Sequence, residues 1–263
     1  MIRKSFGVFA AILLSLTLAI PAARAQEDQT FNAQQTDAIR KIVRAYLMEH
    51  PEVIGDAIEA LREKMRVQAE AEAKKVVEAR KAELLFAKDD PVAGNPKGDV
   101  VIVQFFDYNC PYCKVVLDPL MEAVKADGKT RLVFKDMPIL SEESVLAARV
   151  ALAAKAQGKY EEVHRAFMKF RGKLDEKTIY RLAGEAGANA DQLKKDALSP
   201  EIEKQLKKNL ELAHALDISS TPSFIIADAN GNNARPLSGA IEGQVFTQLI
   251  KLTRNGGKAG PQQ

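Results

Sequence analysis

The sequence predicts an α/β domain interrupted by a helical insertion and preceded by a helical arm. Three observations predict it. The run "VVIVQFF" at 100–106 is β-branched and almost wholly apolar, as suits a central strand covered on both faces. Residues 140–216 carry helix signals and lie between strand-like segments. Upstream of residue 89, apolar residues recur at helical spacing in a stretch rich in Ala, Glu, Lys and Arg.

In chain order, Arg3 and Lys4 precede an apolar run over 6–20, then Pro21 and "ARA" ending at Ala25. A charged start, a core too short to span comfortably and an A-x-A site read as a cleaved secretory signal peptide, residues 1–25. The formal charge of +3 includes Arg3, Lys4 and Arg24, so the remainder is balanced at 35 basic and 35 acidic residues. That balance removes any electrostatic case for nucleic acid, and a makeup of 46% hydrophobic and 28% charged residues argues against disorder and a multi-span membrane fold. Export implies an oxidising compartment, where disulfides form and persist.

Residues 26–88 are expected to form a helical oligomerisation arm and linker. Ile39, Ile42, Val43, Tyr46 and Leu47 share one helical face before "EHP" interrupts the helix at Pro51. Ile54, Ile58, Leu61 and Met65 then continue as a narrow stripe that gives way to the polar Gln68 and Glu72. A narrow apolar stripe with no core nearby predicts burial against other copies of the chain. Residues 66–83 lack Gly and Pro and predict a solvated helical linker.

Pro and Gly at 89–99 mark a boundary, so residues 89–263 form the second unit. After the strand at 100–106, "RLVFKDMPI" offers another strand ending at Pro138. Ser141, Asp175 and Ser199 are helix starts, and Gly172 and Gly187 are helix stops. "TPSFIIADANGNNARPLSG" reads as two antiparallel strands around Asn230–Gly231, with a closing helix over 242–254.

The chain's two cysteines, Cys110 and Cys113, stand in "NCPYCK" directly after the first strand. With Pro111 at the first helical position, the Cys110 sulfur would face free backbone N–H groups, which favour thiolate over thiol. Cys113, one turn on, is placed to attack a mixed disulfide formed at Cys110 and release the substrate. Lys114 reads as a solvated lysine. Structural zinc lacks ligands, because His50, His164 and His214 are scattered and there is no second CxxC. A structural disulfide closing so short a loop would stabilise little. A cysteine protease would need a His paired with the thiol, which nothing in the spacing supports. Cu(I) is a more serious rival, since the thiolates of Cys110 and Cys113 can bind it without further ligands. The second motif is "TPSF": Pro222 directly before a strand suggests a cis bond after Thr221, leaving Thr221 backbone groups for an extended substrate.

The order strand, CxxC helix, strand, helical block, hairpin and helix resembles a thioredoxin-like fold. "FFDYNCPYC", "FKDMPIL", "AARVALAAKAQGKYEEVHRAFM" and "TPSF" together resemble the DsbA-like branch of that superfamily. "FNAQQTDAIRKIVRAYLMEHPEVIGDAIEAL" and "DDPVAGNPKGDVVIVQFFDYNCPYC" narrow the resemblance to the suppressor-of-copper-sensitivity C (ScsC) proteins. The resemblance implies a periplasmic disulfide isomerase or reductase, trimeric through its arm and linked to copper tolerance, with no cofactor. It makes Cys110 the nucleophile, Cys113 the resolving thiol, Pro111 and Tyr112 the redox-tuning dipeptide, and Thr221 with Pro222 the substrate loop. It also implies two kinds of partner: wrongly disulfide-bonded exported proteins, and a membrane reductase of the ScsB type that keeps the pair reduced. Alternatives are a DsbA-like dithiol oxidase, a Cu(I)-binding periplasmic protein, and a redox-inactive holdase. One departure is Gln104, where thioredoxin and DsbA carry a buried acid that assists proton movement, so no general base is named.

Overall fold

A computed structural model describes residues 31–257 of the chain. The expected signal peptide, 1–25, and the first residues of the arm lie outside the described residues. The contacts divide the chain between Ile58 and Glu59.

In the first unit, α1 runs Ala33–Glu49. Asn32 starts it with a reciprocal capping box, its side chain accepting from the Gln35 N–H while the Gln35 side chain accepts from the Asn32 N–H. As "EHP" predicts, α1 ends at His50, and α2, Glu52–Leu85, starts after Pro51. No residue of α1 is buried, and Ile39, Ile42, Val43 and Tyr46 are all exposed, as are Ile54 and Ile58 at the start of α2.

The second unit holds the rest of α2. Here the structure departs from the expected solvated linker and from a unit beginning at residue 89. Val77, Leu84 and Leu85 are fully buried, and Arg235 pairs with Glu70 at 3.0 Å. Spaced by seven and eight, these apolar residues share one helical face, and the surrounding Glu, Lys and Arg residues hide that face in the composition. The helix deviates at Arg80, whose φ is −123°, and Lys135 Nζ donates to the carbonyl of Glu83 in its last turn at 2.7 Å.

β1 follows at Val92–Gly94, β2 at Val100–Phe106, α3 at Pro111–Asp127 and β3 at Thr130–Asp136. Helices α4 (Glu142–Ala154), α5 (Tyr160–Lys169), α6 (Glu176–Glu185), α7 (Ala190–Asp196) and α8 (Pro200–Ala215) lead to β4 (Ser223–Asp228), β5 (Arg235–Ser238) and α9 (Gly243–Arg254). The sheet order is β1-β3-β2-β4-β5, with β2 and β3 parallel and the other neighbours antiparallel. β2 is buried along its whole length. Its alternate residues serve two cores: Val100, Ile102 and Phe106 pack with α3 to α7 and α9, whereas Val101, Val103 and Phe105 pack with Val77, Leu84, Leu85 and the end of α8.

Ser141, Asp175 and Ser199 cap α4, α6 and α8 through their side chains, as expected. Gly187, with φ +88°, follows α6. α5 instead ends at Lys169, before Gly172, because Phe170 turns extended and its N–H closes the last turn onto Ala166. The sequence did not foresee β1, a three-residue strand with φ +72° at Gly94, where a Cβ would lie 2.5 Å from the Thr130 carbonyl. Among the described residues no helix is long and apolar enough to cross a membrane.

Candidate functional site

The parallel pair β2 and β3 ends at Phe106 and Asp136, and the chain leaves β2 through Asp107, Tyr108 and Asn109 to reach Cys110. Cys110 is the N-cap of α3, with φ −73° and ψ 116°, and Pro111 takes the first helical position. Proline fits there because the N–H it lacks would have had no helical partner. The Cys110 sulfur takes the place of a capping oxygen and accepts the Cys113 N–H at 3.3 Å.

Opposite the helix, Thr221–Pro222 is cis, and the Cys110 thiol donates to the Thr221 carbonyl at 3.2 Å. The carbonyl thought to be open for substrate is therefore occupied while Cys110 is protonated. Ionisation removes that donor and releases the carbonyl. Cys110, Cys113, Thr221 and Pro222 thus meet at one place, with the exposed Tyr112 at its edge.

The two thiols differ in their electrostatics. The hydrogen bond from Cys113 lowers the Cys110 pKa most, with further help from the Thr221 side chain and the N–H groups of Cys113 and Tyr112, and the result is about 6 despite burial. Burial, followed by the adjacent Cys110 sulfur, pushes Cys113 strongly upward. The pair therefore holds one thiolate and one thiol near neutral pH. Both cysteines are free and buried.

Lys114 is not the solvated lysine expected. It is half-buried and donates to the Phe170 carbonyl at 2.8 Å, and burial and then the Arg171 charge lower its pKa. The chain between α5 and α6 thereby reaches the cysteine helix, a long-range contact that residue spacing cannot reveal. Gln104 is buried, and its Oε1 has no hydrogen-bond partner. His164 lies in the aromatic core, bonded through Nδ1 to the Tyr108 hydroxyl at 3.0 Å, and burial lowers its pKa to about 3, so it stays neutral. His50 contacts Glu52, and His214 is exposed on α8.

Sequence reasoning passed over Asp107. Its buried carboxylate accepts the Asn109 N–H at 2.7 Å and the Ile139 and Leu140 N–H groups at 2.9 and 3.0 Å. The one local signal was an acidic residue two before an Asn in a turn.

A family model described as "DSBA-like thioredoxin domain" matches residues 101–251, and one described as "Copper resistance protein ScsC N-terminal domain" matches residues 35–68. A thioredoxin-like oxidoreductase from Silicibacter pomeroyi DSS-3 is 39% identical over 66% of this chain and 98% of its own, with a TM-score of 0.62. Proteus mirabilis ScsC in a transitional conformation is 25% identical over 86% of this chain and 97% of its own, with a TM-score of 0.60. A probable disulfide bond formation protein D of Bacillus anthracis is 28% identical over 60% of this chain and 77% of its own. The chain also matches much longer curated relatives, mycobacterial Na(+)/H(+) antiporters NhaA 1, at 28% identity over 52% of this chain, and it spans only 23% of their length.

Proposed function

The chain belongs to the DsbA-like thioredoxin family and carries an N-terminal segment of the ScsC type, and from that premise we propose that it is a periplasmic, trimeric protein disulfide isomerase and reductase. The observation that carries thiol–disulfide exchange is the asymmetry of the pair: Cys110 at the start of α3 with its pKa near 6, and Cys113 held as a buried thiol.

The Cys110 thiolate attacks one sulfur of a substrate disulfide. A new S–S bond forms, the substrate S–S bond breaks, and the second substrate sulfur leaves as thiolate. In isomerisation, another substrate thiolate attacks the mixed disulfide and Cys110 leaves unchanged. In reduction, Cys113 loses its proton to water and attacks Cys110, releasing the substrate dithiol and leaving a Cys110–Cys113 disulfide. A membrane reductase of the ScsB type returns the two electrons. Thr221 and Pro222 line the approach, and Pro111 and Tyr112 set the potential of the pair. The N-terminal segment of the copper-resistance ScsC type supports a link to copper tolerance.

The exposed apolar residues of α1 and the start of α2 support self-association. Several sites on one assembly meet a single misfolded substrate at high effective concentration. The test is Ile42→Asp with Ile58→Asp, both at exposed positions, followed by sedimentation and refolding of a scrambled substrate. A monomer that loses at least about tenfold in isomerisation and keeps small-disulfide reduction is the expected result. A monomer with full isomerase activity overturns the trimeric reading.

A dithiol oxidase is the second reading, and the Cys110 pKa of about 6 favours giving it weight. A stabilised thiolate stabilises the reduced form and makes the pair a stronger oxidant. Trapping the thiols in cells decides: a mostly reduced pair fits the isomerase, and a mostly oxidised pair fits the oxidase.

A further inference from the structure

We propose that Asp107 is a positioning residue that fixes the Ile139–Leu140 loop as the substrate-contacting rim of the cysteine site. The inference rests on the exchange reading above and adds which residues grip the substrate chain beside the reacting sulfur.

Asp107 is 1% exposed and lies three residues before Cys110. Oδ1 accepts the Asn109 N–H at 2.7 Å, and Oδ2 accepts the N–H groups of both Ile139 and Leu140 at 2.9 and 3.0 Å. Its backbone carbonyl accepts the Cys110 N–H at 3.1 Å. One residue therefore joins the segment that carries the attacking sulfur to the loop between β3 and α4. Asn109 makes the second tie, its side-chain amide donating to Ser141 Oγ and Ser144 Oγ, each at 3.1 Å.

A buried carboxylate is costly unless charge-assisted hydrogen bonds satisfy it, and here main-chain donors from two loops do so. The anchored loop does not bury its side chains in return. Ile139 is 41% exposed and Leu140 52%. Two neighbouring aliphatic side chains therefore stand exposed on a backbone tied through Asp107 to the segment that carries Cys110. That pair suits an extended apolar stretch of an unfolded chain, the form in which a wrong disulfide is presented. The backbone is ordered before the substrate arrives, so binding does not bear that ordering cost.

The test uses the full protein, a peptide disulfide flanked by apolar residues, and a small alkylating reagent. The variants are Asp107→Asn, Ile139→Ser with Leu140→Ser, and the combination. Asp107→Asn keeps the shape but turns one acceptor into a donor facing N–H groups. Its KM for the peptide is expected to rise about tenfold with kcat and the pH midpoint of Cys110 alkylation unchanged. The serine pair sits at exposed positions and keeps the fold, so it tests the rim even if Asp107→Asn folds poorly. It is expected to raise KM by a similar factor, and the combination no further, because both act through one contact. Additive effects, an unchanged KM in the serine pair, or a peptide loss matched by an equal loss of alkylation in Asp107→Asn overturns the proposal. A wild-type Cys110 that fails to alkylate near neutral pH overturns the exchange reading instead.

Discussion

Cys110→Ser removes thiol–disulfide exchange altogether, whereas Cys113→Ser leaves the first attack intact and traps the substrate as a mixed disulfide. The difference follows from position. Cys110 is the sulfur that caps α3 and receives the Cys113 N–H, so it alone is stabilised as thiolate. A serine hydroxyl at this place keeps the cap and loses the nucleophile, because it stays protonated and no neighbouring base is placed to activate it. In Cys113→Ser the mixed disulfide persists, since the group that would displace the substrate is gone. Gel separation without reductant, after incubation with a disulfide-bonded substrate, checks both outcomes. Equal trapping by the two variants would contradict the assignment of attacking and resolving roles.

Lys135→Met is expected to lower unfolding stability by about 3–5 kcal/mol in denaturant titration, because it strands a buried carboxylate. Lys135 and Asp90 pair at 2.5 Å with side chains only 3% and 2% exposed. Burial pushes Asp90 up and Lys135 down, and their mutual attraction opposes both shifts. The ammonium also donates to the Glu83 carbonyl, so the substitution uncaps the end of α2. Adding Asp90→Asn removes the stranded charge and recovers part of the loss. A single-variant loss below about 1 kcal/mol would mean that the pair is solvated rather than buried.

The parts legible in the sequence are those decided by short-range chemistry. The apolar run at 100–106 became a strand with both faces covered, Cys110 and Pro111 opened a helix, and Thr221–Pro222 is cis. Each depends on a few adjacent residues whose backbone preferences agree. What stayed hidden depends on distant partners. β1 exists because Val92, Ala93 and Gly94 pair with Val133, Leu132 and Arg131. The docking of α2 needs Val77, Leu84 and Leu85 on one face, and a charge-rich composition conceals so sparse a stripe. Lys114 looked solvated because the Phe170 carbonyl that binds it is 56 residues away. Asp107 drew no notice because two of its donors, Ile139 and Leu140, come from the far side of β3.

The measurement that tests the central claim most directly is the rate of alkylation of each cysteine in the reduced protein as a function of pH, read by mass spectrometry. A pKa lowered to about 6 means that the Cys110 rate rises with pH through that midpoint and is flat above it, because the thiolate is the reacting form. Cys113, pushed up by burial and by the neighbouring sulfur, stays unmodified across the same range. A Cys110 midpoint near the ordinary thiol value of about 8.5, or modification of Cys113 first, would contradict the account.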